Sequence, residues 1–441
     1  MAEVLVSVFT QSDEDEILEL SIDPEIQNKV CRSIAPSIHG YEEEKEAISL
    51  LLFSGVRKEL PDGTRRRGNI NIALIGDPGV AKSQLVGCSA DISPRGIFTS
   101  GKTVSSAGLT AAVVKDPLSS GWTLEGGAAV MASGGVLAID EIGQAREEEK
   151  SALHEVMEQG RISISKAGIV ATLRADCSVL AAGNPKDGYF DRYEPIPKQV
   201  GIPPALWSRF DLIFIIFDEP NPNYDAAISD HILRNHYLGG MIQNREHSNN
   251  SEILEKVIKQ ELQGIEAPIP KEMLKKYISY ARTRVFPVST DEAMEHIKEF
   301  YISIRKMKLN QNSPVPITVR SLEAAQRLAE ASARMRLSNK ITKQDAEFAT
   351  KLIFRSLRDV GLDENGILDA NLLNGQQSLN QRDKIRWIKG YLKEDRTEKD
   401  ILDLMEVSHK VKKEQTQGLI KKLIEKNEIG LDPRGYLKVI R

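Results

Sequence analysis

The chain has 441 residues, 41% hydrophobic and 28% charged, which suits a soluble protein of two or three globular domains. No apolar run approaches the roughly 18 residues that span a bilayer. The first twenty residues carry six acidic side chains and no Lys or Arg, the opposite of a secretory signal. Three cysteines without paired spacing favour a reducing compartment and argue against a zinc ribbon within these residues.

The net charge of −4 is unevenly distributed along the chain. From Arg382 to Arg441 there are 16 Lys and Arg against 11 Asp and Glu, a net charge of +5, so the other residues together carry −9. A basic C-terminal module on an acidic body is compatible with nucleic-acid contact. It is equally compatible with an ordinary solvated surface.

The N-terminal part of the chain leads into a glycine-rich loop. Residues 1–22 are acidic and poorly patterned, which predicts a tether or a partly ordered lead-in. Residues 24–56 have a helical pattern that is broken once, at 35–40. The strongest signal follows in residues 69–83.

In that stretch a mostly apolar strand ends at Gly76, a Gly/Pro-rich turn follows, and Lys82-Ser83 begins a predicted helix. Loop amides and a helix N-terminus attract phosphate. Lys82 then contacts the β- and γ-phosphates, and the Ser83 hydroxyl contacts Mg²⁺. Ala81 departs from the strict pattern, which has Gly before the Lys. The alternative is an ordinary turn between strand and helix.

Two later strands end in polar residues. The apolar run 136–139 is followed by Asp140 and Glu141, and the run 177–182 leads to Asn184. Parallel sheets present their ligand-facing groups at these carboxyl ends. Asn184 alone could be a simple turn residue, but its place in the pattern favours a nucleotide site.

Further strands complete an α/β pattern. Two β-hairpins are predicted at 109–125 and 161–175, the second with a basic tip at Lys166-Ala167-Gly168. Another apolar strand, 211–217, follows Ser208-Arg209-Phe210. Strands that alternate with helical segments predict a doubly wound α/β domain.

After about Pro222 the β signals vanish and helical periodicity dominates, which predicts a helical lid. The predicted lid helices are 253–262, 271–282, 291–308, 319–335 and 343–360. The last sixty residues are typical of three helices and a small wing, a winged-helix pattern. The predicted domains are an acidic tether (1–22), an α/β core (23–221), a lid (222–360), a linker (361–381) and a winged helix (382–441).

At this point the sequence resembles the minichromosome maintenance (MCM) replicative helicases of the AAA+ superfamily. Gly76-Asp-Pro-Gly-Val-Ala-Lys-Ser83 is similar to their phosphate loop, and Ser208-Arg-Phe-Asp211 to their arginine-finger motif. The resemblance extends from about Ser33 to Arg336 and, more weakly, into the terminal module. It implies an ATP- and Mg²⁺-dependent DNA translocase that forms a homo-oligomeric, usually hexameric, ring on single-stranded or forked DNA. It also implies other replication proteins as partners, no membrane, and a place in the nucleoid of an archaeal cytoplasm or in a nucleus.

The resemblance also implies roles for individual residues. The catalytic residues are Glu141, which polarises water, Asn184 as first sensor, Arg209 as a finger donated to a neighbouring subunit, and Arg320 as second sensor. Mg²⁺ is held by Ser83 and Asp140, and Lys166 grips DNA. The nucleotide-binding residues are Ser37, Ile38, His39, Gly76, Asp77, Pro78, Gly79, Val80, Ala81, Lys82, Ser83, Gln84, Asp140 and, across a subunit boundary, Gln159.

The sequence departs from the family in two places. Ile142-Gly143-Gln144 replaces an aromatic or Met followed by Asp-Lys-Met, and the family's large N-terminal DNA-binding domain with its zinc ribbon is expected to be missing. Two other functions are open: a chelatase-like motor acting on protein, and a catalytically silent DNA-binding or regulatory subunit. Lys166 could be an exposed turn lysine, and the third helix of the terminal module could contact protein.

Overall fold

A computed structural model divides the chain into two compact units. The larger contains the described residues up to 373 and the smaller those from 374 onward. Among the described residues, no helix has the length and apolarity that a membrane crossing requires. The structure describes residues 9–102, 106–115, 122–166, 169–186, 188, 190, 199–218, 220–247, 267–309, 318–361, 382–392, 396–409, 413–425, 429–432 and 436–439.

A 3-10 helix spans Ile142–Gln144, and the α-helices and strands of the described residues are as follows. The helices are α1 (Gln11–Ile22), α2 (Ile26–Ser33), α3 (Glu42–Phe53), α4 (Lys82–Ile92), α5 (Ser106–Leu109), α6 (Ala128–Met131), α7 (Glu147–Gln159), α8 (Pro204–Trp207), α9 (Pro222–His247), α10 (Lys271–Arg284), α11 (Asp291–Leu309), α12 (Val319–Met335), α13 (Lys343–Gly361), α14 (Arg382–Tyr391), α15 (Glu398–His409) and α16 (Lys413–Glu425). The strands are β1 (Lys58–Glu59), β2 (Arg65–Arg66), β3 (Ile72–Gly76), β4 (Gly96–Ser100), β5 (Ala111–Lys115), β6 (Trp122–Gly126), β7 (Val136–Asp140), β8 (Arg161–Lys166), β9 (Ile169–Arg174), β10 (Ser178–Gly183), β11 (Leu212–Ile216), β12 (Val288–Ser289), β13 (Lys340–Ile341), β14 (Ile429–Leu431) and β15 (Leu437–Val439).

A five-stranded parallel sheet forms the centre of the larger unit, in the order β11-β3-β10-β7-β4. Ile216 of β11 pairs with Gly76 of β3, and Ser100 of β4 pairs with Asp140 of β7. All five strands therefore end at the same edge of the sheet. The predicted doubly wound α/β core is confirmed.

Side chains alternate between the two faces of the sheet along each strand, and both faces are buried. Ile72 and Leu74 belong to a core shared with α3, α4 and the lid helices α10, α12 and α13. Ala73 and Ile75 belong to a second core, shared with α7, α8 and the hairpin of β8 and β9. The sheet is thus the middle of three layers.

The two predicted hairpins are present as the antiparallel pairs β5–β6 and β8–β9. In the second hairpin Ile162 and Ile164 are buried, whereas Val170 is 83% exposed. One face of this hairpin therefore packs on the core and the other is exposed to solvent. Leu109, predicted to begin the first hairpin, instead ends the short helix α5. The turns at 116–121 and 167–168 lie outside the described residues.

The lid confirms four of the five predicted helices as α10 to α13. The fifth, 253–262, lies outside the described residues. The expectation that strands end near Pro222 was wrong, because β12 and β13 form a two-residue parallel pair inside the lid. Helical periodicity did not predict the 26-residue helix α9. Much of α9 is exposed, including Leu233 and Tyr237, so it lacks the single apolar stripe that marks an amphipathic helix.

The acidic tether expected at residues 1–22 is a helix where the structure describes it. Thr10 caps α1, with Asp13 completing a capping box. Ile17 is fully buried, and the Asp13 carboxylate accepts a 2.6 Å bond from the Lys276 ammonium of α10. The Thr10 cap stabilises the start of α1, and the buried Ile17 and the Asp13–Lys276 pair attach it to the unit. The composition of the helix is otherwise that of a solvated segment.

The described part of the smaller unit has three helices followed by the antiparallel pair β14–β15, which is the predicted order of elements. Ile388, Ile420 and Leu423 lie in its core. Thr397 caps α15, because its hydroxyl accepts the Asp400 amide at 3.4 Å, and the Asp400 carboxylate in turn accepts the Thr397 amide at 2.9 Å. The winged-helix assignment and the domain boundaries remain predictions, and the proposed linker lies outside the described residues except for Gly361.

We predict that α1 contributes to the stability of the larger unit. Ile17→Ala should lower the free energy of unfolding by about 2–5 kcal/mol, since it leaves a cavity in a packed core. The matched control is Ile22→Ala in the same helix, where the side chain is 80% exposed and the change should stay within about 0.5 kcal/mol. Urea denaturation followed by circular dichroism measures both. Equal effects would show that α1 is not docked in solution.

Candidate active site

The glycine-rich loop joins the end of β3 to the start of α4. A Cβ on Gly76 would lie 2.4 Å from the Ile216 carbonyl oxygen, so only glycine fits beside β11. Gly79 has a φ of +90°. Ala81 has a φ of +56°, in the left-handed region where an L-residue is strained by roughly 1–2 kcal/mol. The position at which the sequence departs from the strict pattern therefore adopts a conformation that favours glycine.

Lys82 is buried at the N-terminus of α4 and turned back onto its own loop. Its ammonium donates to the carbonyl oxygens of Gly76 and Asp77, at 3.0 and 2.5 Å. Burial lowers the pKa of Lys82 to about 8, although the carboxylates of Asp77 and Asp140 act in the opposite direction. A polyanion at the loop would give this ammonium a better partner than two carbonyls.

The rest of the loop divides into anchored and exposed residues. The Asp77 carboxylate accepts from the amides of Phe190 and Asp218, at 3.2 and 3.0 Å, so this side chain anchors the loop to the ends of neighbouring segments. Val80 is half-buried. The exposed residues are Pro78, Gly79, Ser83 and Gln84.

The two acidic residues after β7 have different surroundings. Asp140 ends the strand, and its Oδ1 accepts the Glu141 amide at 2.9 Å. Glu141 has a φ of +51°, and backbone strain of this kind is concentrated at functional sites. Its carboxylate accepts from the Gln144 amide group at 3.2 Å and from the Ser100 hydroxyl at 3.5 Å. Gln144, part of the sequence that departs from the family, thus orients the predicted catalytic carboxylate.

Asn184 lies between the loop and the acidic pair. It follows β10, the strand between β3 and β7, and the preceding Gly183 pairs with Ile75. Neighbouring strands are about 4.8 Å apart, so the ends of β3 and β7 are separated by about 10 Å. The register alone brings Lys82, Asn184 and Asp140 to one edge of the sheet with space between them.

The loop predicted to contact adenine is held against α9, which follows β11 and begins near the same edge. The Asn235 side chain of α9 donates to the Ser37 carbonyl at 3.1 Å. From α3, the Lys45 ammonium donates to the Ile38 carbonyl at 2.6 Å. The His39 ring lies 6.0 Å from that of Tyr224. The contacts from α9 were not predicted, since the helix itself was missed.

A second group of predicted site residues lies elsewhere. Arg209 and Arg320 both pair with Glu158, whose Oε1 is 3.3 Å from the Arg320 guanidinium. Arg320 also donates to the Ser208 hydroxyl at 3.2 Å. Gln159 follows Glu158 at the end of α7 and accepts from Arg161.

This second group is at the opposite, amino edge of the sheet. Asp211 immediately precedes β11, and its amide donates to the Asn71 carbonyl just before β3. Arg209 is two residues earlier, and the Asn71 side chain donates to its carbonyl oxygen at 3.4 Å. A five-residue strand is about 16 Å long. Within one chain, Arg209 and Lys82 are therefore separated by the full length of a strand.

A buried carboxylate fixes this edge to the lid. Asp211 accepts from Arg67 at 2.8 Å and from Arg327 of α12 at 2.6 Å, and its side chain is 4% exposed. It also accepts the Asn71 amide at 2.9 Å. Asp211 was part of the predicted finger motif but had no predicted role of its own. Neither Arg67 nor Glu158 carried a signal that set it apart from a surface charge.

Lys166 is the last residue of β8, and its backbone pairs with Ile169. This places it beside the hairpin turn, as predicted. Its side chain is outside the described part of the structure, so its role as a DNA contact stays a prediction.

Comparison with known sequences agrees with this geometry. The family model of the MCM P-loop domain matches residues 13–236, and that of the MCM AAA-lid domain matches residues 272–357. The chain belongs to the MCM family. Its core is accordingly an AAA+ P-loop domain of the nucleotide-binding class, and the chelatase-like motor no longer describes it.

Curated MCM relatives match most of this chain. It is 41% identical over 380 residues to the minichromosome maintenance protein MCM of Saccharolobus solfataricus, covering 86% of this chain and 52% of that protein. It is 41% identical over 360 residues to the DNA replication licensing factor mcm5-B of Xenopus laevis, covering 80% and 46%. The probable DNA helicase MCM8 of Arabidopsis thaliana is 39% identical over 368 residues, covering 79% and 46%. The chain thus spans about half the length of the curated relatives it matches.

We predict that ATP binding to this MCM chain weakens as the pH rises above about 8. Phosphate raises the pKa of Lys82 again on binding, so above that pH binding takes up a proton, and affinity should fall by up to about tenfold per pH unit. ATP itself stays fully ionised there, since phosphate has its second pKa near about 6. Titration with a fluorescent ATP analogue from about pH 7 to about pH 9.5 measures this pH dependence of the affinity.

Lys82→Ala is the control and should bind the analogue weakly, with an affinity that does not fall as the pH rises. Constant wild-type affinity would contradict the role of Lys82.

Proposed function

We propose that this chain is the ATPase motor of a replicative DNA helicase, acting in a ring of identical subunits on single-stranded or forked DNA. The observation that carries the proposal is the separation of the site into two groups at opposite edges of one sheet. The phosphate loop, Asp140, Glu141 and Asn184 form one group, and the arginines form the other. A ring joins the two groups of adjacent subunits.

The carboxyl edge has the parts needed for hydrolysis. Lys82 and the loop amides bind the phosphates. Glu141, oriented by Gln144, polarises the attacking water, and Asn184 orients that water or the γ-phosphate from between the strands.

A magnesium ion fits the same edge. Asp140 and the exposed hydroxyl of Ser83 are hard oxygen donors, and Mg²⁺ is commonly held by one or two such groups together with substrate phosphates. Bound there, the ion would neutralise charge on the β- and γ-phosphates. Asp140 ends β7, and Ser83 lies in the first turn of α4, directly after the phosphate loop.

Arg209 and Arg320 would act on the nucleotide of an adjacent subunit. Both sit at the amino edge, a strand length from the loop of their own chain, and Arg320 is half-exposed. Gln159 lies on the same surface. An arginine finger is worth about 10³–10⁵ in rate, so an unassembled chain should hydrolyse ATP very slowly.

For the DNA contact we propose Lys166. One face of the β8–β9 hairpin packs on the core, and Lys166 lies beside the hairpin turn. One such lysine per subunit gives a ring equivalent cationic contacts that track a phosphate backbone without reading bases. The names of the relatives, a replication licensing factor and a probable DNA helicase, support DNA as the partner. The motor would then act where the chromosome is, in a nucleoid or a nucleus.

The proposal is tested by ATP turnover with and without single-stranded DNA. Wild-type turnover should rise with DNA, Glu141→Gln should lose turnover by about 10²-fold or more while still binding ATP, and Lys166→Ala should keep basal turnover but lose the DNA response. Arg174→Ala, at the far end of the same hairpin and 59% exposed, is the matched control and should retain the response. Wild-type turnover in Glu141→Gln would overturn the catalytic assignment. A normal DNA response in Lys166→Ala would overturn the DNA site.

A further inference from the structure

Glu158 joins two arginines that belong to different parts of the chain. It is the penultimate residue of α7, and its Oε2 pairs with the Arg209 guanidinium in the turn after α8. Its other oxygen, Oε1, accepts from the Arg320 guanidinium in the first turn of the lid helix α12, at 3.3 Å. A single carboxylate therefore bridges the predicted finger and the predicted second sensor.

The three groups do not balance in charge. Two guanidiniums and one carboxylate carry a net +1. Burial and the charge of Arg209 lower the pKa of His154, one turn before Glu158, although the Glu158 carboxylate acts in the opposite direction. Arg209 is also incompletely satisfied, since its buried Nε has no hydrogen-bond partner among the described residues. The cluster can accept a more highly charged anion.

The arginines have other anchors that do not depend on Glu158. Arg209 donates to the Ala205 carbonyl at 3.0 Å, and Arg320 to the Ser208 hydroxyl at 3.2 Å. Both could therefore stay near their present positions if the carboxylate left. Glu158 is 47% exposed, so it can move into solvent without a large desolvation cost.

We propose that the Glu158 carboxylate is a resting anion for the arginine pair. In the free subunit it holds Arg209 and Arg320 together, and the terminal phosphate of a neighbour's ATP displaces it. Carboxylate and phosphate both match the fork of a guanidinium, and a phosphate brings more charge and three oxygens. The exchange makes Glu158 a positioning residue that competes with the nucleotide. It weakens the nucleotide-dependent association of the subunits and leaves association without nucleotide unchanged. This inference rests on the proposed function.

The test is self-association of the full chain by sedimentation, with and without a non-hydrolysable ATP analogue. Glu158→Gln keeps the shape of the side chain and removes its charge. With the analogue, it should lower the protein concentration for half-maximal association by roughly three- to tenfold, the range expected for losing one or two partly exposed ion pairs. Without nucleotide it should give no such gain, because no phosphate replaces the lost charge.

Two further variants control the result. Glu148→Gln removes a carboxylate from the exposed first turn of the same helix and should behave as wild type. Glu158→Asp, one methylene shorter, should reach only one arginine and fall between wild type and Glu158→Gln.

The outcomes separate this inference from the proposed function. If Glu158→Gln associates as wild type does, or more weakly with and without nucleotide alike, Glu158 is a bystander or a scaffold and the inference fails alone. A wild-type chain that shows no nucleotide-dependent association overturns the ring and the resting anion together.

Discussion

The parallel register of the central sheet is the constraint on which the rest of the molecule depends. Because all five strands end at one edge, the phosphate loop, Asn184 and Asp140 converge without any long loop to position them. The same register sends the segment before β11, with Arg209, to the other edge. A strand length of about 16 Å then separates the two groups of predicted site residues. This separation is the basis of the proposed assembly.

Asp211 connects that arrangement to the lid. Its buried carboxylate bonds Arg67 before the sheet, Arg327 in α12 and the amide of Asn71. Removing one partner of such a network leaves a buried charge uncompensated, which typically costs about 3–5 kcal/mol. Since Arg320 lies two turns before Arg327 in the same helix, a rigid contact at Asp211 also sets where Arg320 lies relative to Arg209. Arg209 and Arg320 are therefore positioned as one surface.

Much of the fold could be predicted from the sequence because its signals are local. Strand β7 is apolar up to Asp140, α12 has strong helical periodicity, and Thr397 is a cap, so each was predicted close to its observed bounds. Other features depend on distant contacts. Helix α1 forms because Ile17 and Asp13 meet the lid, and α9 lacks an apolar stripe, so neither was predicted as a helix. Glu158 reads as an ordinary surface acid until the fold brings two arginines to it.

One catalytic site is proposed to need residues from two chains, and mixing two inactive variants tests this requirement most directly. Lys82→Ala lacks the phosphate contact and Arg209→Ala lacks the finger, so each alone should be nearly inactive. In an equal mixture, about a quarter of the interfaces of a head-to-tail ring would pair an intact loop with an intact finger. ATP turnover of the mixture should then clearly exceed the sum of the two separate proteins. Turnover equal to that sum, with mixed assembly demonstrated, would contradict the claim.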